Sequence, residues 1–150
     1  MKAETFEAFC EGDTLNYAEK LGKEAKPGTL VALCGDLGSG KTVFARGFAR
    51  GLGIKGAVSS PTFTILKSYE EGRLTLHHFD VYRLSGPDEM DEIGYEDCFY
   101  GDGVCLVEWA ELIEELLPED TIRVRIEKDP SRGFDFRRII LERPELRAGC

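Results

Sequence analysis

The chain has 150 residues, with 19 Lys and Arg against 28 Asp and Glu, giving a formal charge of −9. That length suits one domain, which buries roughly 70% of the surface its unfolded chain exposes and needs no disulfide or structural metal to fold. A hydrophobic fraction of 42% beside 31% charged residues excludes long disorder, and a pI near 4.8 argues against tight nucleic-acid binding through general charge.

In chain order, Thr5 to Phe9 reads as a short strand. Asp13 or Thr14 can cap a helix through Leu15, Ala18 and Leu21 toward Lys26, and Pro27-Gly28 stops it. Leu30 to Cys34 is a continuous apolar run of the kind buried on both faces of a parallel sheet. After a glycine-rich turn, Val43, Phe44, Phe48 and Leu52 recur at helical spacing up to Gly51 and Gly53. Ser59-Ser60-Pro61 is a loop. Thr62 to Tyr69 and Arg73 to Val81 read as two strands of a hairpin. A helix start is expected at Ser85 to Glu89. Val104 to Val107 is a second buried strand, followed by a helix from Trp109 to Leu117 that Pro118 ends. Thr121 to Glu127 and Phe134 to Leu141 are late strands around a turn-rich stretch. Strand, glycine loop and helix over residues 30–52 imply an α/β layer architecture. The expected fold is a single-domain P-loop NTPase, residues 1–150, with a mostly parallel central sheet, an antiparallel hairpin and flanking helices.

No apolar run is long enough to cross a bilayer, and Met1 to Glu4 brings an acid early with no apolar h-region, so neither a membrane span nor a secretory signal is expected. The cysteines at 10, 34, 98, 105 and 150 are odd in number and lack a CxxC spacing, which fits reduced thiols in a cytoplasm. Acidity is concentrated. Residues 80–120 hold 14 acids and one base, Arg83, a net −13 that leaves +4 for the rest. Such a segment reads either as solvated helix faces or as a partner-facing patch beside a metal site.

The octapeptide Gly35-Asp36-Leu37-Gly38-Ser39-Gly40-Lys41-Thr42 satisfies G-x-x-x-x-G-K-[ST] and sits between a buried strand and a helix. Its glycines let backbone N–H groups and the helix N-terminus face a phosphate chain. Lys41 would reach the β- and γ-phosphates, and the Thr42 hydroxyl would ligate Mg²⁺. A second acid for the metal is expected at the end of a neighbouring apolar strand, where Glu108 stands; the other reading is a surface Glu that opens the next helix. Trp109 beside it suits packing as well as a place near a nucleotide. His78, Asp80 and Tyr82 fall on one strand face. Asp80 could orient an attacking water with His78, or it could cap a turn. Thr62 is placed like a loop threonine that senses the γ-phosphate.

The motifs GDLGSGKT, SPTF, HFDVYRL and LVEWAE, in this order across about residues 10–127, resemble the TsaE family. The resemblance implies an ATPase of tRNA threonylcarbamoyladenosine synthesis, acting with the transferase subunits TsaB and TsaD and not transferring the carbamoyl group itself. It maps the nucleotide loop onto Gly35 to Thr42, the metal ligands onto Thr42 and Glu108, and the switch-like threonine onto Thr62. It maps the catalytic or metal-linked aspartate onto Asp80 and the family's tryptophan onto Trp109, and it suggests Arg132 as a nucleotide contact. A GTPase is disfavoured because guanine readout needs an N-K-x-D element, and Asn16 is the sole asparagine. A small-molecule kinase remains the alternative, weakened by the single arginine in the 80–120 region where a lid would sit. With no arginine finger evident, hydrolysis by the chain alone is expected to be slow.

Overall fold

The computed structural model describes residues 2–36, 38–56, 58, 65–84 and 87–144. The strands are β1 (Lys2–Ala8), β2 (Leu30–Gly35), β3 (Leu66–Tyr69), β4 (Leu76–Asp80), β5 (Val104–Glu108), β6 (Ile122–Lys128) and β7 (Arg137–Arg143). The α-helices are α1 (Glu11–Glu24), α2 (Lys41–Gly51), α3 (Glu89–Glu92) and α4 (Tyr95–Phe99), and 3₁₀ turns cover Ala110–Leu116 and Pro130–Arg132.

All seven strands join one sheet in the order β1-β7-β6-β2-β5-β4-β3. The pairs β6–β2, β2–β5 and β5–β4 are parallel, while β1–β7, β7–β6 and β3–β4 are antiparallel. The sheet is therefore mixed, not mostly parallel as expected. The reason lies in the connections. The eight residues between β6 and β7 are too few for a parallel crossover, which takes a dozen or more, so β7 turns back and β1 adds antiparallel to its outer edge.

The central strands explain their own apolar runs. Val31 and Leu33 of β2 join the core beneath α1 and α2, while Leu30 and Ala32 join the core on the opposite face. On β5, Leu106 points with the first set and Cys105 and Val107 with the second. Side chains alternate across a strand, so burial on both faces requires every position to be apolar.

The helix α1 begins at Glu11, one turn earlier than expected. Its first residue follows Cys10, and the Asp13 carboxylate accepts the Phe9 N–H at 3.0 Å instead of capping the helix from its own N-terminus. The hairpin holds the other end: Arg73 Nη2 donates to the Gly22, Lys23 and Ala25 carbonyls at 2.7, 2.8 and 2.7 Å. A guanidinium there satisfies terminal carbonyls and complements the helix dipole. Arg73→Ala is expected to cost about 2 kcal/mol of stability in urea denaturation; a loss below about 0.5 kcal/mol would show that water replaces the guanidinium without penalty.

Two further expectations change. The stretch after β5 is a 3₁₀ turn over Ala110–Leu116, interrupted at Ile113, and not a regular helix from Trp109. The strand expected over Arg73–Val81 shortens to β4, because the Arg73 N–H turns away to the Leu52 carbonyl at 2.8 Å. Among the described residues, no helix is long and apolar enough to cross a membrane.

Candidate functional site

The parallel strands β2, β4 and β5 all end at one edge of the sheet, with Gly35, Asp80 and Glu108 as their last residues. Crevices outside the carboxyl ends of such strands are where α/β sheets bind ligands. The glycine-rich loop leaves β2 at this edge and enters α2 at Lys41. Gly38 and Gly40 hold φ of +78° and +105°, a region that side-chain-bearing residues rarely adopt. Ser39 is buried inside the loop, and among the described residues its Oγ has no hydrogen-bond partner. Asp36 stays exposed and its carbonyl accepts the Ser39 N–H at 3.0 Å. Thr42 stands exposed on the first turn of α2.

Lys41 is 7% exposed. Its ammonium donates to the Gly35 carbonyl at 2.8 Å and lies 3.7 Å from the centroid of the Trp109 ring. The packing reading of Trp109 holds, since it also packs against the core on its own face of the sheet.

Glu108 and Asp80 face each other in the parallel register of β4 and β5. Glu108 is 3% exposed, which removes the surface-acid reading, and His78 Nε2 lies 2.6 Å from its Oε2. With Glu108 ionised, Nε2 is the donor. His78 has no exposed surface, and its Nδ1 has no partner among the described residues. Fully buried, it does not face an attacking water as expected, and its Nε2 meets Glu108 instead. Asp80 is intermediate in exposure. Burial is the main cause that pushes its carboxyl above the usual range, with the Glu108 charge adding to it, while the Tyr82 N–H, His78 and Lys41 pull the other way. Asp80 Oδ1 also accepts the Tyr82 N–H at 3.1 Å, so the turn-cap reading is realised alongside its place in the site. Tyr82 lies beyond the end of β4, exposed, and not on a strand face with Asp80.

Leu37 and Thr62 lie outside the described residues. Arg132 pairs with Glu7 at 2.6 Å and stacks 4.5 Å from the Phe136 ring. The arginine that touches the loop is Arg137, which sequence reasoning missed. Its Nε donates to the Ser39 carbonyl at 2.8 Å and its Nη2 reaches that of Gly38 at 3.4 Å, while Nη1 donates to the Phe134 and Phe136 carbonyls. The +4 charge outside residues 80–120 was the available signal, but it does not single out one strand residue. Between loop, α1 and the β6–β7 connection lies a cavity of about 150 Å³ whose walls include Cys10, Thr14, Gly40, Val43 and Phe134.

Hydroxyl and carboxylate oxygens are the hard donors that suit Mg²⁺. Among the described residues no cluster of three or more His, Cys, Asp or Glu could hold an ion alone. The facing Asp80 and Glu108, with a carboxyl pushed up partly by its neighbour's charge, form a pair that a cation would relieve.

The fold and this edge define a single-sheet α/β protein whose polar site gathers around a glycine-rich loop at the carboxyl ends of parallel strands. Residues 10–139 match the family described as threonylcarbamoyl adenosine biosynthesis protein TsaE. A Bacillus subtilis protein named tRNA threonylcarbamoyladenosine biosynthesis protein TsaE is 53% identical over 114 residues, covering 75% of this chain and 71% of its own. A Treponema pallidum protein of the same name is 45% identical, over 76% of this chain and 84% of its own. The crystal structure of Bacillus subtilis YdiB superposes with a TM-score of 0.82 at 41% identity, covering 96% of this chain and 87% of that one. The chain belongs to the TsaE family.

Proposed function

We propose that this chain is a Mg²⁺-dependent P-loop ATPase of tRNA threonylcarbamoyladenosine synthesis, working in the cytoplasm with the TsaB–TsaD transferase pair. The observation that carries the reading is the buried Lys41 ammonium, held at the glycine loop on the same sheet edge as Asp80 and Glu108. In this reading the residues from Gly35 to Thr42 bind the phosphate chain: loop N–H groups and the start of α2 face it, and Lys41 contacts its β- and γ-phosphates. Thr42 and Glu108 would hold Mg²⁺, which when bound neutralises charge on the phosphates. His78 fixes the Glu108 carboxylate, as partners behind metal ligands commonly do. Asp80 orients the attacking water, and Thr62 and Arg132 remain nucleotide contacts implied by family membership. The cavity walled by Cys10, Val43 and Phe134 adjoins the loop and would take the base.

Hydrolysis by the chain alone is slow in this reading. Arg137 is engaged by loop and turn carbonyls, so it braces the loop and is not held ready for a transferring phosphate. The acidic balance further favours a role beside tRNA chemistry without tight binding of the tRNA itself.

The test is titration of the chain with ATP and GTP, with and without Mg²⁺ and the TsaB–TsaD pair, with iodoacetamide labelling of Cys10 mapped by mass spectrometry. Cys10 is exposed, whereas burial pushes the Cys34 thiol up to about 12 and raises those of Cys98 and Cys105, and peptide mapping separates Cys10 from Cys150. ATP should bind in preference to GTP, shield Cys10, and turn over faster when the pair is present. GTP preference, indifference to the pair, or turnover of tens per second by the chain alone, a rate typical of dedicated kinases, would overturn the reading.

A further inference from the structure

Besides its packing on the core, the Trp109 indole makes one cation contact and one ring contact among the described residues. Lys41 Nζ stands over its face at 3.7 Å, and the Tyr82 ring lies 4.8 Å away, centroid to centroid, tilted by 45°. Trp109 is also the one non-glycine residue with positive φ, +62°, among those described. A bulky residue in the left-handed region is strained, and such strain persists where surrounding contacts impose it, often at functional sites.

The contacts have a direction. A buried ammonium must be compensated, and Lys41 is compensated by the Gly35 carbonyl and the indole face. An ammonium carries three donors, so these contacts fix its position without exhausting it. Trp109 in turn leans on Tyr82, a residue 61% exposed whose burial contributes little to the core. Tyr82 is set by Asp80, whose carboxylate accepts its N–H. The order of support runs from the strand-end acid through two rings to the loop lysine.

We propose that Tyr82 is a positioning residue: acting through Trp109, it holds the Lys41 ammonium in place for the phosphate chain. This deepens the nucleotide reading above and rests on it. In this proposal Tyr82 acts through Trp109 and Lys41, so its effect should scale with the phosphates that Lys41 contacts. ATP presents the β- and γ-phosphates; AMP presents neither.

The experiment uses the full chain carrying Tyr82→Ala, Tyr82→Phe or Trp109→Phe, with thermal unfolding as the control for folding. In Tyr82→Ala, ATP affinity should fall about fivefold to tenfold while AMP affinity stays within about twofold, and Tyr82→Phe should restore wild-type values. Trp109→Phe, with a smaller ring under Lys41, should show the same ATP-selective loss at smaller size. Without nucleotide, the emission of Trp109, the single tryptophan, should shift to the red in Tyr82→Ala and not in Tyr82→Phe. Equal losses for ATP and AMP, unchanged ATP affinity, or tighter ATP binding in Tyr82→Ala would overturn the proposal and leave the nucleotide reading standing. A wild-type chain that binds neither nucleotide would overturn both.

Discussion

Glu108→Ala should lower Mg²⁺-dependent turnover by at least about a hundredfold and cost about 3 kcal/mol of stability. Two separate effects produce these losses. The stability loss comes from His78, which is fully buried and whose Nε2 has Glu108 as its partner. Removing the carboxylate strands a buried donor and leaves a void, each worth about 1–3 kcal/mol. The functional loss, in the proposed reading, comes from the missing charge where Mg²⁺ would be held. Glu108→Gln separates the two, because the amide oxygen still accepts from His78 Nε2 while the charge is gone. Its stability should stay within about 1 kcal/mol of wild type, and its turnover should match that of Glu108→Ala.

The neighbouring substitutions should divide the labour. Asp80 is half-buried with its ionisation already penalised, so Asp80→Ala should spare stability and lose turnover, and through Tyr82 it should cost ATP affinity no more than Tyr82→Ala does. Thr42 is exposed, and Thr42→Ala should lose the Mg²⁺-dependent part of nucleotide affinity. Urea denaturation, nucleotide titration and turnover on the same preparations read all three. Equal loss of affinity in Glu108→Ala, Asp80→Ala and Thr42→Ala would remove the division, and an unaltered stability in Glu108→Ala would mean that His78 finds another partner.

What the sequence made legible is local. The loop could be read because residue types, spacing and the flanking apolar strand and helix all fall within residues 30–52. Glu108 could be read because it ends an apolar run, and the two-sided burial of β2 and β5 follows from that run alone. What stayed hidden depends on distant pairing. Arg137 meets Ser39 across 98 positions, through a β7 whose neighbours no local pattern specifies. His78 looked available for water because its strand face was known and its cross-strand partner, 30 residues on, was not. Tyr82 left the strand face because Asp80 bends the chain there, and a period-two pattern cannot announce where a strand stops. The mixed sheet had the same cause: the turn-rich stretch after β6 signalled a turn without saying which neighbour β7 would take.

The helix pair that carries the loop makes the second large prediction. A methyl group on Gly51 would sit 2.2 Å from the Glu19 carbonyl oxygen, 2.8 Å from Gly22 Cα and 2.8 Å from the Lys23 nitrogen. Gly22 and Gly47 face similar obstacles, 2.2 Å from the Phe48 oxygen and 2.4 Å from the Leu15 oxygen. The obstacles are backbone, so no rotamer relieves them and α1 must move off α2. Helix propensity alone makes Gly51→Ala favourable by about 1 kcal/mol, but the overpacking opposes it and wins, for a net loss of about 3 kcal/mol or more. Gly12→Ala on α1 supplies the contrast, since its methyl would meet just Cys10 Sγ at 3.6 Å, an ordinary contact. There the propensity gain should survive and stabilise by up to about 1 kcal/mol. Both are read by urea denaturation. Because α2 begins at Lys41, any Gly51 variant that still folds should also bind nucleotide more weakly, by displacing the lysine and Thr42 together. A Gly51→Ala chain as stable as wild type would mean that the two helices slide apart at little cost, and the loop's position would then have to be fixed from the β7 side, by Arg137.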